Sequence, residues 1–517
     1  MQSLRLADVL AGLSLIADLG VGNEPEKAMR TCLLAVSLAE QLGLGEEERR
    51  DVYYAALLEH AGCTGGAHEA AAYFGDDIAV YHAAAKANLA RPAQIVSTFI
   101  PEIARERPLS ERVRLAAVVL SRRRGIAAEI RSANCEVAAS TARRLGLGRG
   151  LERALYEMFE WWNGKGPPRG LAGEEISLAA RVVRVASLAL FFARLGGPEA
   201  AVWALRERAG TILDPGLCER FSSNARGLLA DGETGDALER VLEIEPRPWR
   251  VASLGELDAV ARAFADLVDL KSPFFHGHSA GVAELAGNAA AAAGLGDEET
   301  IALRRAALLH DVGRVAVPTG VWEKRASLTA AEWERVRLHP YHSERVLVRS
   351  SVLAPLAPVA GMHHERLDGS GYFRGAKAAS LPLAARLLAA ADAYQAMTQE
   401  RPHRGALSAE LAARELEAEG RRGRLDPEAV RAVCAAAGQR PSRRRSALPA
   451  GLTEREVEVL RLLAQGSSNR EIGQRLWISP KTAGHHVQHI YAKIGVSTRA
   501  AAALFAMEHD LLGPSAR

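Results

Sequence analysis

Two stretches of this chain are near-copies of each other, and no other feature limits the fold as strongly as that repetition. Residues 43–60 (GLGEEERRDVYYAALLEH) align without gaps on residues 294–311 (GLGDEETIALRRAALLHD). Further on, residues 159–166 (FEWWNGKG) align on 364–371 (HERLDGSG), and each stretch runs on to a Leu-Ala-Ala-Arg, at 178–181 and at 383–386. Both copies are alanine-rich with apolar residues at helical spacing, and strand signals are confined to short β-branched runs. The expectation is an all-α chain in which one helical fold is built twice.

The copies differ in chemistry. The second carries a ladder of His278, His310-Asp311, His339, His363-His364 and Asp392 set in apolar helical sequence. His310-Asp311 closes the run Ala306-Ala307-Leu308-Leu309 just before Gly313, so both side chains project from a buried wall. All the donors are nitrogen or oxygen, which suits six-coordinate iron or manganese better than a sulfur-rich zinc site. In the first copy the matching positions hold Lys27, Glu59-His60, Met158-Phe159 and Ser187, so that half is expected to pack a metal-free core. Trp161 and Trp162 read as part of that core, with a small-molecule pocket as the alternative.

The segments LLHDVGRVAVP (308–318), LHPYHSERVL (338–347), HHERLDGSGY (363–372) and ARLLAAADAYQAMTQERPHR (385–404) resemble the HD-GYP family of HD-superfamily phosphohydrolases over roughly 250–435. The resemblance implies hydrolysis of a cyclic dinucleotide, chiefly cyclic di-GMP, by two divalent metal ions, iron or manganese. It implies that His278, His310, Asp311 and Asp392 hold one metal and that His339, His363 and His364 hold a second, bridged by Asp311. Two such cations activate a water and clamp the attacked phosphate, with Asp311 central to catalysis. Arg314, where the family usually has lysine, is expected to stabilise the more anionic transition state. Tyr372, Arg401 and Arg404 match positions expected beside the nucleotide. Gly371-Tyr372-Phe373 lacks the signature's proline. Phe274 stands where three-metal relatives carry glutamate, which implies two metals at most, and His276 reads as a surface imidazole near the mouth.

At the far end, Thr453 and Glu456 form a capping-box pattern, Asn469 opens a short helix that closes near Trp477, and Ser479-Pro480 starts another. In that last helix Ala483, Val487, Ile490 and Ile494 share one face. Lys481, Thr482, His485, His486, Gln488, His489 and Lys493 are left as the candidate DNA-contacting set. Residues 452–512 resemble the LuxR/FixJ-type helix-turn-helix, which implies double-stranded DNA as a partner and a homodimer formed through the last helix, about 499–509. Thr482-Ala483-Gly484 replaces the usual Thr-Val-Lys and removes one phosphate-contacting cation.

Four segments follow: a degenerate HD-type domain (1–245), an HD-type phosphohydrolase domain (246–438), an Arg/Pro/Ser linker (439–450) with Arg440 and Arg443-Arg444-Arg445, and a four-helix helix-turn-helix domain (451–513). A net charge of +3 over 517 residues excludes a chain that is basic throughout. Five scattered cysteines argue against a disulfide framework, and no apolar run can cross a bilayer, so a cytoplasmic protein with no membrane partner is expected. Three functions fit. One is a cyclic-dinucleotide phosphodiesterase coupled to a transcriptional regulator. The second is a nucleotide-sensing transcription factor without turnover, and the third is a phosphohydrolase of another nucleotide or phosphate ester.

Overall fold

The computed structural model describes residues 4–105, 107–438 and 448–512. The linker arginines Arg440 and Arg443-Arg444-Arg445 lie outside the described residues. The architecture is all-α. Among the described residues, β-pairing beyond isolated bridges is confined to β1 (Leu4–Arg5) antiparallel to β2 (Val251–Ala252). The chain forms two compact units, Met1–Glu256 with Pro318–Gly320, and Leu257–Val317 with Val321–Arg517.

The first unit contains α1 (Leu6–Gly20), α2 (Lys27–Gln41), α3 (Glu46–Leu58), α4 (Leu109–Arg144), α5 (Arg149–Glu157) and α6 (Leu178–Arg208). The second contains α7 (Leu254–Asp269), α8 (His278–Ala292), α9 (Asp297–Leu309), α10 (Ala330–Arg337), α11 (His339–Leu347), α12 (Ala357–Gly361) and α13 (Leu383–Met397). It ends in α14 (Pro427–Gly438) and the four helices α15 (Glu454–Ala464), α16 (Asn469–Leu476), α17 (Pro480–Ile494) and α18 (Arg499–Glu508).

The repeat seen in sequence is a repeat of specific hydrogen bonds. Gly45 N–H donates to Glu48 at the start of α3 and Gly296 N–H to Glu299 at the start of α9, at 3.0 and 3.1 Å. A side chain on Gly62 would collide with the Asn134 carbonyl, and one on Gly313 with that of His339, so glycine permits the same tight crossing in both units. That crossing pairs Asn134 with His339, a correspondence the sequence alignment had not reached. Glu160 accepts backbone N–H groups of 169–171, as Glu365 accepts those of Arg374 and Ala376. The ion pairs Arg181–Asp214 (2.7 Å) and Arg386–Asp426 (2.9 Å) close the two loops alike.

A buried aspartate also recurs. Asp18 accepts the Ala28 N–H at the start of α2, and Asp269 accepts the Ser279 N–H at the start of α8. Burial pushes the Asp18 carboxyl up to about 7, against the pull of Lys27. An acid raised in this way holds its proton more tightly folded than unfolded. Its contribution to stability is therefore complete below its ordinary range and is lost as pH rises through about 7. Asp18→Asn is expected to flatten the fall in stability of the N-terminal unit between roughly pH 4 and 7. Thermal unfolding of both proteins across that range checks it, and an unchanged slope would refute the assignment.

In the second unit, Val282, Leu285, Leu303, Leu387, Leu388, Val430 and Val433 form one core between α8, α9, α13 and α14. Each such side chain contributes roughly 1.5–3 kcal/mol by burial. This core fixes the three helices that carry or deliver His278, His310-Asp311 and Asp392.

Candidate metal centre and DNA-binding helix

The five rungs of the ladder converge. His278 begins α8, His310-Asp311 follows the last turn of α9, His339 begins α11, His363-His364 follows α12, and Asp392 lies within α13. Six of the seven side chains are buried, and His364 is half-buried. They fall into two sets, each with ligand atoms within 4.8 Å of one another: His278, His310, Asp311 and Asp392, and His339, His363 and His364. Asp311 faces both. Its Oδ2 lies 2.8 Å from His310 Nε2 and 3.4 Å from His278 Nε2. Its Oδ1 lies 3.3 Å from His339 Nε2 and 3.4 Å from His363 Nε2.

One geometric observation fits divalent cations to this donor set. His310 Nε2 and both Asp311 oxygens are buried without a well-aligned hydrogen bond, which is costly unless another partner serves them. Burial would raise Asp311 and Asp392, yet the surrounding imidazoles, with Arg314 at Asp311, hold both well below the carboxylate range. Burial would likewise lower His310, but Asp311 and Asp392 lift it to about 10. In the other set, burial keeps His339 down at about 4 and also lowers His363 and His364, leaving three neutral imidazoles with lone pairs to donate.

The remaining sequence-predicted residues surround this cluster unequally. Arg314 Nη1 sits 2.6 Å from Asp311 Oδ2, its guanidinium stacked 4.5 Å from the Phe275 ring. Tyr372 lies against His364 with ring centroids 4.7 Å apart, and burial raises its phenol, so it remains an O–H donor. Arg401 donates to the Phe274 carbonyl at 2.7 Å. Arg404 donates to the carbonyls of Ala396, Met397, Gln399 and Gly405. Sequence reasoning missed two neighbours. Gln399 Oε1 lies 2.8 Å from His278 Nδ1. Trp333, 44 % exposed, meets Tyr372 edge-on at 5.9 Å, and its place one turn before Arg337 was the available signal.

In the C-terminal four helices, Thr453 and Glu456 form the expected capping box, and Ala483, Val487 and Ile490 point into the local core. Lys481, Thr482, His485, Gln488 and His489 are exposed, and His486 is half-buried. Lys493 pairs with Glu456 at 2.7 Å. Trp477, left-handed at φ 56° and 94 % exposed, stands at the turn before α17.

Residues 262–429 match the HD domain family model, and 450–506 match the model for bacterial regulatory proteins of the luxR family. The 3'3'-cGAMP-specific phosphodiesterase 3 of Vibrio cholerae serotype O1 is 30% identical over 436 residues, 84% of this chain and 94% of that protein. The chain belongs to the HD-GYP family of phosphodiesterases. A solved structure of a cyclic GMP-AMP specific phosphodiesterase of V. cholerae superposes with a TM-score of 0.58 at 27% identity, over 85% of this chain and 99% of that one. The cyclic di-GMP phosphodiesterase of Thermotoga maritima is 36% identical over 160 residues, 30% of this chain and 43% of that protein.

Within this HD-GYP chain the first copy of the fold carries an internal cation where the second carries the candidate ligand set. Lys27, at the position of His278, is buried, its Nζ 3.3 Å from Glu59 Oε2 and 2.5 Å from Ser187 Oγ. Arg184 supplies a second positive charge 3.2 Å from Glu59 Oε1. Burial would raise the Glu59 carboxyl, but Lys27, His60 and Arg184 hold it well below its ordinary value. Met158 and Phe159 are buried where the imidazole pair stands in the second copy, while Trp161 and Trp162 are half-buried.

Proposed function

We propose that the second unit hydrolyses a cyclic dinucleotide at a two-metal centre of iron or manganese and that the C-terminal helix-turn-helix is its regulatory output. The observation that carries the enzymatic half is the division of the Asp311 oxygens between two complete sets of donors. Bound there, two divalent cations would supply an activated water and neutralise the phosphate. The chain's own groups do the rest. Arg314, held over Phe275, offers a guanidinium to the phosphate, and Tyr372 offers its O–H at the rim. Trp333, part-exposed beside Tyr372, offers an indole on which a purine can stack. The overlap with the cGAMP-specific relative covers the degenerate half too, so 3'3'-cGAMP stands beside cyclic di-GMP as substrate.

The regulatory half rests on residues 272–278, which serve the metal centre and the DNA-binding helices at once. Arg401 holds the Phe274 carbonyl and His278 is a candidate ligand. His276, read from sequence as a surface imidazole, has Nδ1 2.6 Å from the Ala464 carbonyl at the end of α15. The next N–H, of Gly277, donates to Met507 Sδ in α18 at 3.3 Å, and Arg262 donates to the Met507 carbonyl at 2.9 Å. A nucleotide that draws Arg401 or His278 inward therefore pulls on the segment that seats the DNA-binding domain.

The test follows cyclic di-GMP and 3'3'-cGAMP by chromatography with manganese-loaded protein, kept anaerobic when iron is used. DNA affinity is measured on the same samples across a salt series. Linear dinucleotide is the expected product, with DNA affinity shifted roughly 5-fold or more by site occupancy, the lower end of ordinary allosteric coupling. Bound metals and nucleotide without product would leave a ligand-gated DNA-binding protein. Product without any shift in DNA affinity would sink the coupling.

A further inference from the structure

A neutral imidazole that ligates through Nε2 must carry its proton on Nδ1, and that N–H needs an acceptor to fix the tautomer and the ring plane. Three of the ladder histidines find one locally. His310 Nδ1 meets the Ala307 carbonyl at 2.7 Å, His339 Nδ1 that of Val336 at 2.6 Å, and His363 Nδ1 that of Ala360 at 2.7 Å. Each acceptor lies three residues upstream, on the turn of chain that delivers the histidine. His278 is different because it is the first residue of α8, entered through a left-handed Gly277, so no preceding turn offers it a carbonyl. Its Nδ1 instead lies 2.8 Å from Gln399 Oε1, while its Nε2 faces Asp392 Oδ1 at 3.0 Å.

The Gln399 amide is itself oriented. Its Nε2 donates to the His276 carbonyl at 3.4 Å, and Arg401 Nη2 approaches Oε1 at 3.4 Å, so the oxygen is the atom turned to the imidazole. Gln399 also lies two residues beyond α13, the helix that carries Asp392, so one segment sets both the ring of His278 and the carboxylate opposite it.

We infer that Gln399 is a positioning residue for one half of the centre: it fixes the His278 tautomer and so sets the affinity of the His278, His310, Asp311 and Asp392 set. The trio His339, His363 and His364 makes no use of it. This inference rests on the two-metal reading above. Loss of a comparable outer partner lowers metal affinity about 10–100-fold, so Gln399→Ala should weaken one of two bound metals by that factor and leave the other unchanged. Gln399→Glu keeps an acceptor, now anionic, and should restore the second metal.

The experiment is equilibrium dialysis of metal-free full-length protein against graded free manganese, with bound metal counted by elemental analysis. Thermal unfolding of the metal-free variants is run beside it. The expected result is two metals per chain for wild type and Gln399→Glu. At the same free manganese Gln399→Ala holds one, with an unaltered metal-free melting curve. Gln399→Ala holding both metals as tightly as wild type, or losing both together, overturns the inference. Fewer than two metals on the wild type instead overturns the two-metal reading, and the inference falls with it.

Discussion

Asp311→Ala is expected to empty both halves of the metal centre and to lower phosphodiester hydrolysis by about three orders of magnitude. That factor is the several kcal/mol of charge stabilisation a metal pair supplies, at about 1.4 kcal/mol per decade of rate. The double loss follows from geometry, since Oδ2 serves the His278 and His310 side and Oδ1 the His339 and His363 side. Asp392→Ala makes the contrast, because Asp392 belongs to the first set alone in its grouping and should cost chiefly one metal. Asp311 also neutralises the buried Arg314 at 2.6 Å, so Asp311→Asn, which keeps an oxygen there, separates loss of ligation from loss of fold. Elemental analysis of the three variants decides the matter. Two metals per chain in Asp311→Ala would remove the bridging role.

Much of this site could be read in the sequence because its parts obey local rules. His310, His339 and His363 fall at helix starts and ends, where the turn itself delivers a carbonyl to Nδ1 and where Gly313 lets two helices cross closely. The capping box of α15 and the inward face of α17 are equally local, fixed by residues three or four apart. What stayed hidden depends on long-range contacts that no spacing encodes. His276 and Ala464 are 188 positions apart, and His278 and Gln399 are 121 apart, so neither pairing has a periodicity to betray it. Arg404 shows the converse. Its place after Asp392 suggested phosphate contact, and here the carbonyls of Ala396, Met397, Gln399 and Gly405 take its donors. Lys493, read as an exposed cation of the groove-facing set, is exposed and also pairs with Glu456.

Lys27→Met in the first unit is expected to cost about 3–5 kcal/mol, the usual penalty for removing one partner of a buried ion pair. The ammonium occupies the position of the first ladder histidine and touches the groups that replace two further ligands, Glu59 and Ser187. A fixed side-chain charge thus does structurally what a metal would do in the other copy: it holds buried acceptors together that would otherwise repel or go unserved. Without it, Glu59 keeps Arg184 and the Ser187 hydroxyl, together with His60, whose own ring burial holds down at about 3. The discriminating partner is the double variant Lys27→Met with Glu59→Gln, which removes charge from both sides. Replacing a whole buried pair is often neutral or stabilising, so the double variant should recover most of the loss. Denaturant unfolding of the full chain, read on the transition of the N-terminal unit, measures both. A Lys27→Met cost below about 1 kcal/mol, the scale of an exposed pair, would mean that water reaches this lysine and that the first copy is not closed around its own cation.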